Sequence, residues 1–309
     1  MRIKGFFSNS SALFQIGVLL YFALIGVLLS AATTHAVVYI TGLLSESNPA
    51  AGSFADTPFY ALHTAQFFST LLIFFLPSLS AAYFCSDKPA NFLQIKRRVN
   101  VKVILLSVIM LFLISPVIDL ISNLNSKIHL PELLAPLTDW MQKTEEQSAG
   151  ITEKTLSEKG FFALATNIFI IGIMAGVAEE FFFRGALMSI ITKKIKNPHT
   201  AIWLIAIIFS IIHFQFSGFF PRIILGAVLG YLLLWTKNIW VPVCAHALNN
   251  IFAIAGYKMG LYHLSSDSTL LTRSSENDSY FYITIIIAIV GMALFFLCAK
   301  KMKLIADSG

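Results

Sequence analysis

Apolar residues run along this chain in long stretches, each closed by a short polar or basic break. A helix needs about 20 mostly apolar residues to cross a bilayer. Eight stretches approach or exceed that length, at roughly 13–41, 59–85, 101–122, 160–192, 199–217, 220–236, 239–257 and 280–299. The pattern predicts an all-α fold, a polytopic transmembrane helix bundle of about eight spans. The sixth and seventh are separated only by the turn at Lys237 and Asn238. Pro77, Pro116 and Pro242 fall inside or at the start of spans, where bilayer helices accept proline as a kink or a start.

One long polar stretch interrupts the series, at 123–159. Within it Leu133, Leu134, Leu137, Trp140 and Met141 recur at helical spacing among acids such as Glu132 and Asp139. That predicts an amphipathic, extracytoplasmic helix lying on the outer interface. It is read as a passive surface helix, with a gate over a buried site as the alternative. The first apolar run follows Arg2 and Lys4 and exceeds the 7–15 or so residues of a cleaved signal's apolar core. A retained first span is expected. No polar linker or internal repeat divides the chain, so one membrane domain over 1–309 is expected.

Composition narrows this further. The chain is 57% hydrophobic with 28 phenylalanines and only 12% charged residues, about half the charge of a soluble domain. Mean hydropathy is +0.76. The net charge of +6 is no nucleic-acid footprint, because the basic residues gather at span ends. With eight spans the short basic connections, Lys96-Arg97-Arg98 and Lys193, Lys194 and Lys196, share a side with the basic residues of both termini. The opposite side carries about half as many, among them Arg222 and Arg273, diluted by acids. The positive-inside rule then makes both termini cytoplasmic. The expected partner is the lipid bilayer and not nucleic acid. Cys85, Cys244 and Cys298 form no C-x-x-C, so neither a thiolate zinc site nor a disulfide framework is implied.

Ionisable groups inside a bilayer helix cost about 2.5–3.5 kcal/mol each on insertion scales and need a reason. The fourth span holds three within one and a half turns, in Gly176-Val177-Ala178-Glu179-Glu180-Phe181-Phe182-Phe183-Arg184-Gly185. Glu180 and Arg184 are four apart and share a face, so they can pair. Glu179 stands about 100° round the helix and is left to face a cavity without a fixed counter-ion. Such a carboxylate suits general-base chemistry near neutral pH. Gly172 and Gly176 precede Glu180 at two and one turns, a spacing that lets another helix approach closely.

Two histidine clusters follow. Phe209 stands one turn before His213 in the fifth span, and His246 stands one turn before Asn250 in the seventh, with Asn249 off that face. If the three spans bundle, Glu179, His213, His246 and Asn250 converge on one polar pocket able to orient a water and donate to an oxyanion. Taken singly, an intramembrane histidine is commonly an interhelical hydrogen bond, and Glu180 with Arg184 reads as a buried structural pair. His35, His63, Gln66 and Asp119 lie in spans without partners and are assigned structural roles. Gly226 and Gly230 form a G-x-x-x-G suited to helix packing.

Glu-Glu-x-x-x-Arg at Glu179-Glu180…Arg184, Phe-x-x-x-His at Phe209…His213 and His-x-x-x-Asn at His246…Asn250, in that order on membrane helices, resemble the CAAX prenyl protease and bacteriocin-processing (CPBP, or Abi) family. The resemblance covers about 160–258, the catalytic core it implies. Each motif alone is weak, and the three in order are specific. The resemblance implies that Glu179 and His213 activate a water, that His246 and Asn250 stabilise the oxyanion, and that Arg184 holds Glu180, with Phe209 in support. The family is catalogued among metalloproteases, and a metal-free glutamate mechanism is also argued for it. Here no His-Glu-x-x-His is present, which favours a water nucleophile with no required cofactor. Glu179, His213 and His246 would form a weak zinc set, so a zinc ion stays open.

The expected activity is an intramembrane endopeptidase acting on a membrane-associated or leader peptide or protein, lipidated or not. The alternative is a non-catalytic scaffold or bacteriocin-immunity protein of the same family. A transporter ranks last, because no paired broken helices are evident. Short loops suit a bacterial cytoplasmic membrane.

Overall fold

The computed structural model describes residues 3–44, 57–95, 98–128, 131–260 and 278–307. Arg2, Lys96, Arg97 and Arg273, counted above in the charge asymmetry, lie outside them. Nine principal helices follow one another among the described residues: α1 (Ala12–Leu44), α2 (Phe59–Cys85), α3 (Val101–Ser126), α4 (Ala135–Ser157), α5 (Phe161–Lys194), α6 (Pro198–Ile211), α7 (Phe219–Thr236), α8 (Trp240–Lys258) and α9 (Asp278–Asp307). Local chemistry sets their ends. Asn100 caps α3 by accepting from Lys102 N, and Asn197 caps α6 by accepting from His199 N with Pro198 in the first turn, which satisfies N–H groups that a helix start leaves free. Lys237 ends α7 in a left-handed conformation (φ 49°).

Helices stand at all eight positions expected to span. Six are long and apolar enough to cross a membrane: α1, α2, α3, α5, α7 and α9. The chain is thus an all-α integral membrane protein. The other two helices, α6 and α8, carry the histidine motifs. α8 is diluted by His246, Asn249 and Asn250. α6 is shorter than expected: the stretch 199–217 is not one helix, because α6 stops at Ile211 and 212–218 form a turn. Phe214 takes a left-handed conformation (φ 50°), and Ser210 Oγ donates to Phe219 O across the turn (2.7 Å).

Two buried clusters organise the bundle. One gathers α1, α2, α5, α6, α7 and α8 round Phe181, Phe182 and Phe183. The other joins α3 and α9 to α7 and α8 through Met110, Leu229, Leu232 and Met302. Small residues permit the tightest contact. A Cβ on Gly176 would lie 2.9 Å from Ala247 N, so α5 and α8 meet backbone to backbone there. Gly226 and Gly230 pack on Ala206 and Ile202 of α6. Large exposed apolar side chains such as Leu20, Leu24 and Leu28 of α1 cover the outside, as a lipid-facing surface requires.

Connections expected on one side of the bilayer meet one another. At one end Ile239 N–H donates to Gln94 O (3.2 Å) and Ser189 Oγ to Phe92 O (2.6 Å). At the other, Asn125 reaches the 212–218 turn, and α4 lies against the same turn through Trp140, 5.6 Å from Phe216. The amphipathic segment is therefore not merely laid on the surface: it touches the loop that carries His213.

Candidate active site

Helix α5 supplies Glu179, Glu180 and Arg184, and the α-helical spacing separates the two carboxylates as the sequence predicts. Glu180 and Arg184 are both fully buried, and Arg184 Nη1 donates to Glu180 Oε1 at 2.8 Å. The guanidinium also donates through Nη2 to Gly226 O of α7 (2.7 Å). It lies 4.9 Å from the centre of the Phe209 ring, a cation–π distance. Glu180 Oε2 and Arg184 Nε are buried without a hydrogen-bond partner.

His246 Nδ1 lies 2.8 Å from Glu180 Oε1. A carboxylate oxygen accepts, so Nδ1 carries the hydrogen. This contact had no signal in the sequence. It makes Glu180 more than a partner for Arg184, because the same oxygen fixes the ring of His246. His213 is held likewise: its Nδ1 lies 2.6 Å from Phe209 O, so Nδ1–H donates to that carbonyl. In each neutral imidazole Nε2 then bears the lone pair. Both Nε2 atoms face Glu179 Oε2, at 3.8 Å from His213 and 3.9 Å from His246. Glu179 is 14% exposed and His213 26%. Phe209 packs between these groups, its ring centre 4.6 Å from that of His213 and 6.1 Å from that of His246.

Asn250 shares the His246 face of α8 and donates from Nδ2 to Ile171 O of α5 (3.1 Å). One of its amide hydrogens is thereby committed to α5. Ile171 belongs to a widened, π-helical stretch at Ile168–Met174, and a second such stretch, Phe181–Leu187, includes Arg184. Single π turns within α-helices recur at functional sites. His63, read as structural, bonds across helices: its Nε2 lies 2.8 Å from Asn167 Oδ1, whose Nδ2 donates to Thr155 O of α4.

Zinc held tetrahedrally by imidazole and carboxylate at about 2.0–2.1 Å needs neighbouring ligand atoms about 3.3 Å apart. The separations of 3.8 and 3.9 Å round Glu179 Oε2 are wider, and no group of three His, Cys, Asp or Glu among the described residues is placed to hold a metal ion. As placed, the set does not fit zinc. It fits a water: a carboxylate oxygen and a lone-pair nitrogen cannot bond directly, and a contact beyond 3.5 Å between two acceptors is the span one water bridges.

Comparison with known proteins finds likenesses over the same stretch of chain. Residues 161–252 match the family described as type II CAAX prenyl endopeptidase Rce1-like. The motif helices are similar to those of that family. The matched stretch runs from the start of α5 to within α8 and contains every residue of the cluster. Similar chains include the uncharacterized protein YpbD of Bacillus subtilis strain 168, 25% identical over 132 residues, which are 41% of this chain and 62% of that one. Another is the membrane-embedded CAAX protease MroQ of Staphylococcus aureus strain USA300, 29% identical over 120 residues, 37% of this chain and 46% of that one. The chain thus spans less than two thirds of the length of these relatives. No solved structure matches. With six apolar helices and relatives in Bacillus and Staphylococcus, the chain is an integral membrane protein of bacterial type.

Proposed function

We propose that this Rce1-like chain is an intramembrane endopeptidase that hydrolyses a peptide bond of a membrane-associated or leader-peptide substrate with an activated water. One observation carries the reading: Glu179 Oε2 stands within one water's reach of two imidazole nitrogens, each turned toward it by a hydrogen bond on its far side. A water donating to Glu179 and His213 turns its lone pairs outward, toward a substrate carbonyl. Glu179 takes its proton as the C–O bond forms. The tetrahedral oxyanion is assigned to His246 in its doubly protonated form, which enters the cycle charged and keeps its Nε2–H throughout, and to the amide hydrogen of Asn250 not given to Ile171. The proton held by Glu179 then passes to the leaving amine as the C–N bond breaks. Glu180 and Arg184 position His246, and Phe209 fills the space between the rings. Both termini are assigned to the cytoplasm.

The test compares the N-termini of membrane proteins in cells producing the wild-type chain with those in cells producing Glu179→Ala. Precursors should accumulate in the variant, with the protein still present in the membrane. The same set of termini in both strains would refute the reading and favour a scaffold.

A further inference from the structure

His213 does not sit within a helix but in the turn beyond α6, so helix geometry alone does not place it. Its ring is tied to Phe209 O, and the backbone beyond it is held by groups from three other elements. Asn125, in the last turn of α3 and 9% exposed, donates from Nδ2 to Phe216 O (2.9 Å) and Ser217 O (2.6 Å). Arg222 of α7 donates from Nη1 to Gln215 O (3.3 Å) and from Nη2 to Gln215 Oε1. Glu145 of α4 accepts from Ser217 N (3.3 Å) and from its hydroxyl. Between these anchors and His213 lies Phe214, at φ 50°. A non-glycine residue persists in that conformation only where its surroundings over-determine it. Of the three anchors, Glu145 and Arg222 are half-buried. Asn125 alone is buried and grips two consecutive carbonyls.

We infer that Asn125 is a positioning residue for His213: by pinning the carbonyls of Phe216 and Ser217 it sets the distance from His213 Nε2 to Glu179. The kinetic consequence rests on the proposed hydrolytic reading, and the structural one does not. Asn125→Asp keeps the side chain's shape but turns an acceptor toward the two carbonyls. Asn125→Ser, smaller and able to donate one bond, is the companion variant should the aspartate destabilise the fold.

The first measurement is amide hydrogen exchange of the full chain in detergent. Either variant should speed exchange across 213–218 and leave 176–187 of α5 as in the wild type. Unchanged exchange at 213–218 overturns the inference. The second uses a quenched fluorescent peptide spanning a cleavage site mapped in the Glu179→Ala comparison. Asn125→Asp should lower kcat by about 10- to 100-fold, the cost of misplacing a catalytic group by about 1 Å, with KM unchanged. In a His213→Ala background the same substitution should cost nothing further. Losses that multiply in the double variant would assign Asn125 to general stability and overturn the inference. Full turnover in His213→Ala alone would sink the hydrolytic reading instead, leaving the exchange measurement to decide the bracing.

Discussion

Replacing Arg184 by Met isolates what its charge does. The side chain is fully buried, so solvent screens nothing: its partner Glu180 is at 0% exposure and 2.8 Å. Removing one member of such a pair leaves an uncompensated buried charge, which costs about 3–5 kcal/mol. The lost cation–π contact with Phe209 at 4.9 Å adds up to about 2 kcal/mol when desolvated. Two features reduce the sum. Glu180 keeps the donor from His246, and the pair is already imperfect, with Glu180 Oε2 and Arg184 Nε unbonded. The expected loss is therefore about 3–5 kcal/mol in all, measured by sodium dodecyl sulfate titration of the protein in mixed micelles. Glu180→Gln should cost a comparable amount by stranding the guanidinium. The double variant, with no buried charge, should cost clearly less than the two together, because replacing both members of a buried pair by neutral groups is often close to neutral. Additive losses, or an Arg184→Met protein within about 1 kcal/mol of the wild type, where ordinary exposed substitutions fall, would refute the description of the pair as a desolvated unit.

Three further outcomes follow from the same geometry. Gly176→Val should force α5 and α8 apart at Ala247, costing about 1–3 kcal/mol as overpacking does and abolishing cleavage; wild-type stability by the same titration would mean the helices do not meet there. Prolonged dialysis against a chelator should leave cleavage of the fluorescent peptide unchanged, and elemental analysis should find zinc well below one per chain; activity lost to the chelator and restored by zinc would place a metal among Glu179, His213 and His246. His63→Leu should remove the bond to Asn167 at the cost of about 0.6 kcal/mol, and at most about 1.7, typical of interhelical bonds in membranes, with kcat unchanged; a large fall in kcat would bring His63 into the machinery.

What the sequence revealed, and what it hid, divides along local and non-local lines. The apolar runs located α1, α2, α3 and α5 to within a few residues, because hydrophobic length is a property of the chain itself. The Glu180–Arg184 pair was legible because positions four apart on a helix must share a face. The close contact of α5 with α8 was legible in Gly172 and Gly176. The end of α6 was not: Ile211, Ile212 and Phe214 continue an apolar run through His213, and it is contacts from distant residues, among them Asn125, Arg222 and Glu145, that hold that run as a turn. The bond from His246 to Glu180 was hidden for the same reason, since nothing along either helix encodes which carboxylate the ring will meet. The amphipathic pattern showed that 123–159 holds a helix but not the turn against which Trp140 rests.

The two adjacent glutamates show how one helix can supply opposite chemistries from identical side chains. Rotation by about 100° per residue turns Glu180 into the bundle, where Arg184 neutralises it and His246 bonds to it. The same rotation turns Glu179 into the space between two imidazoles, with no donor among the described residues within direct hydrogen-bonding distance. Glu180 is fully buried and shares one oxygen between Arg184 and His246, so the burial and the contacts that make it a good support keep it from a water. Exchanging the environments would need the arginine one position earlier along α5, at 183, which would move the cation onto the Glu179 face and remove the anchor at Gly226 O. The order Glu-Glu-x-x-x-Arg therefore carries positional information that composition alone does not: it decides which acid is spent on architecture and which remains for chemistry.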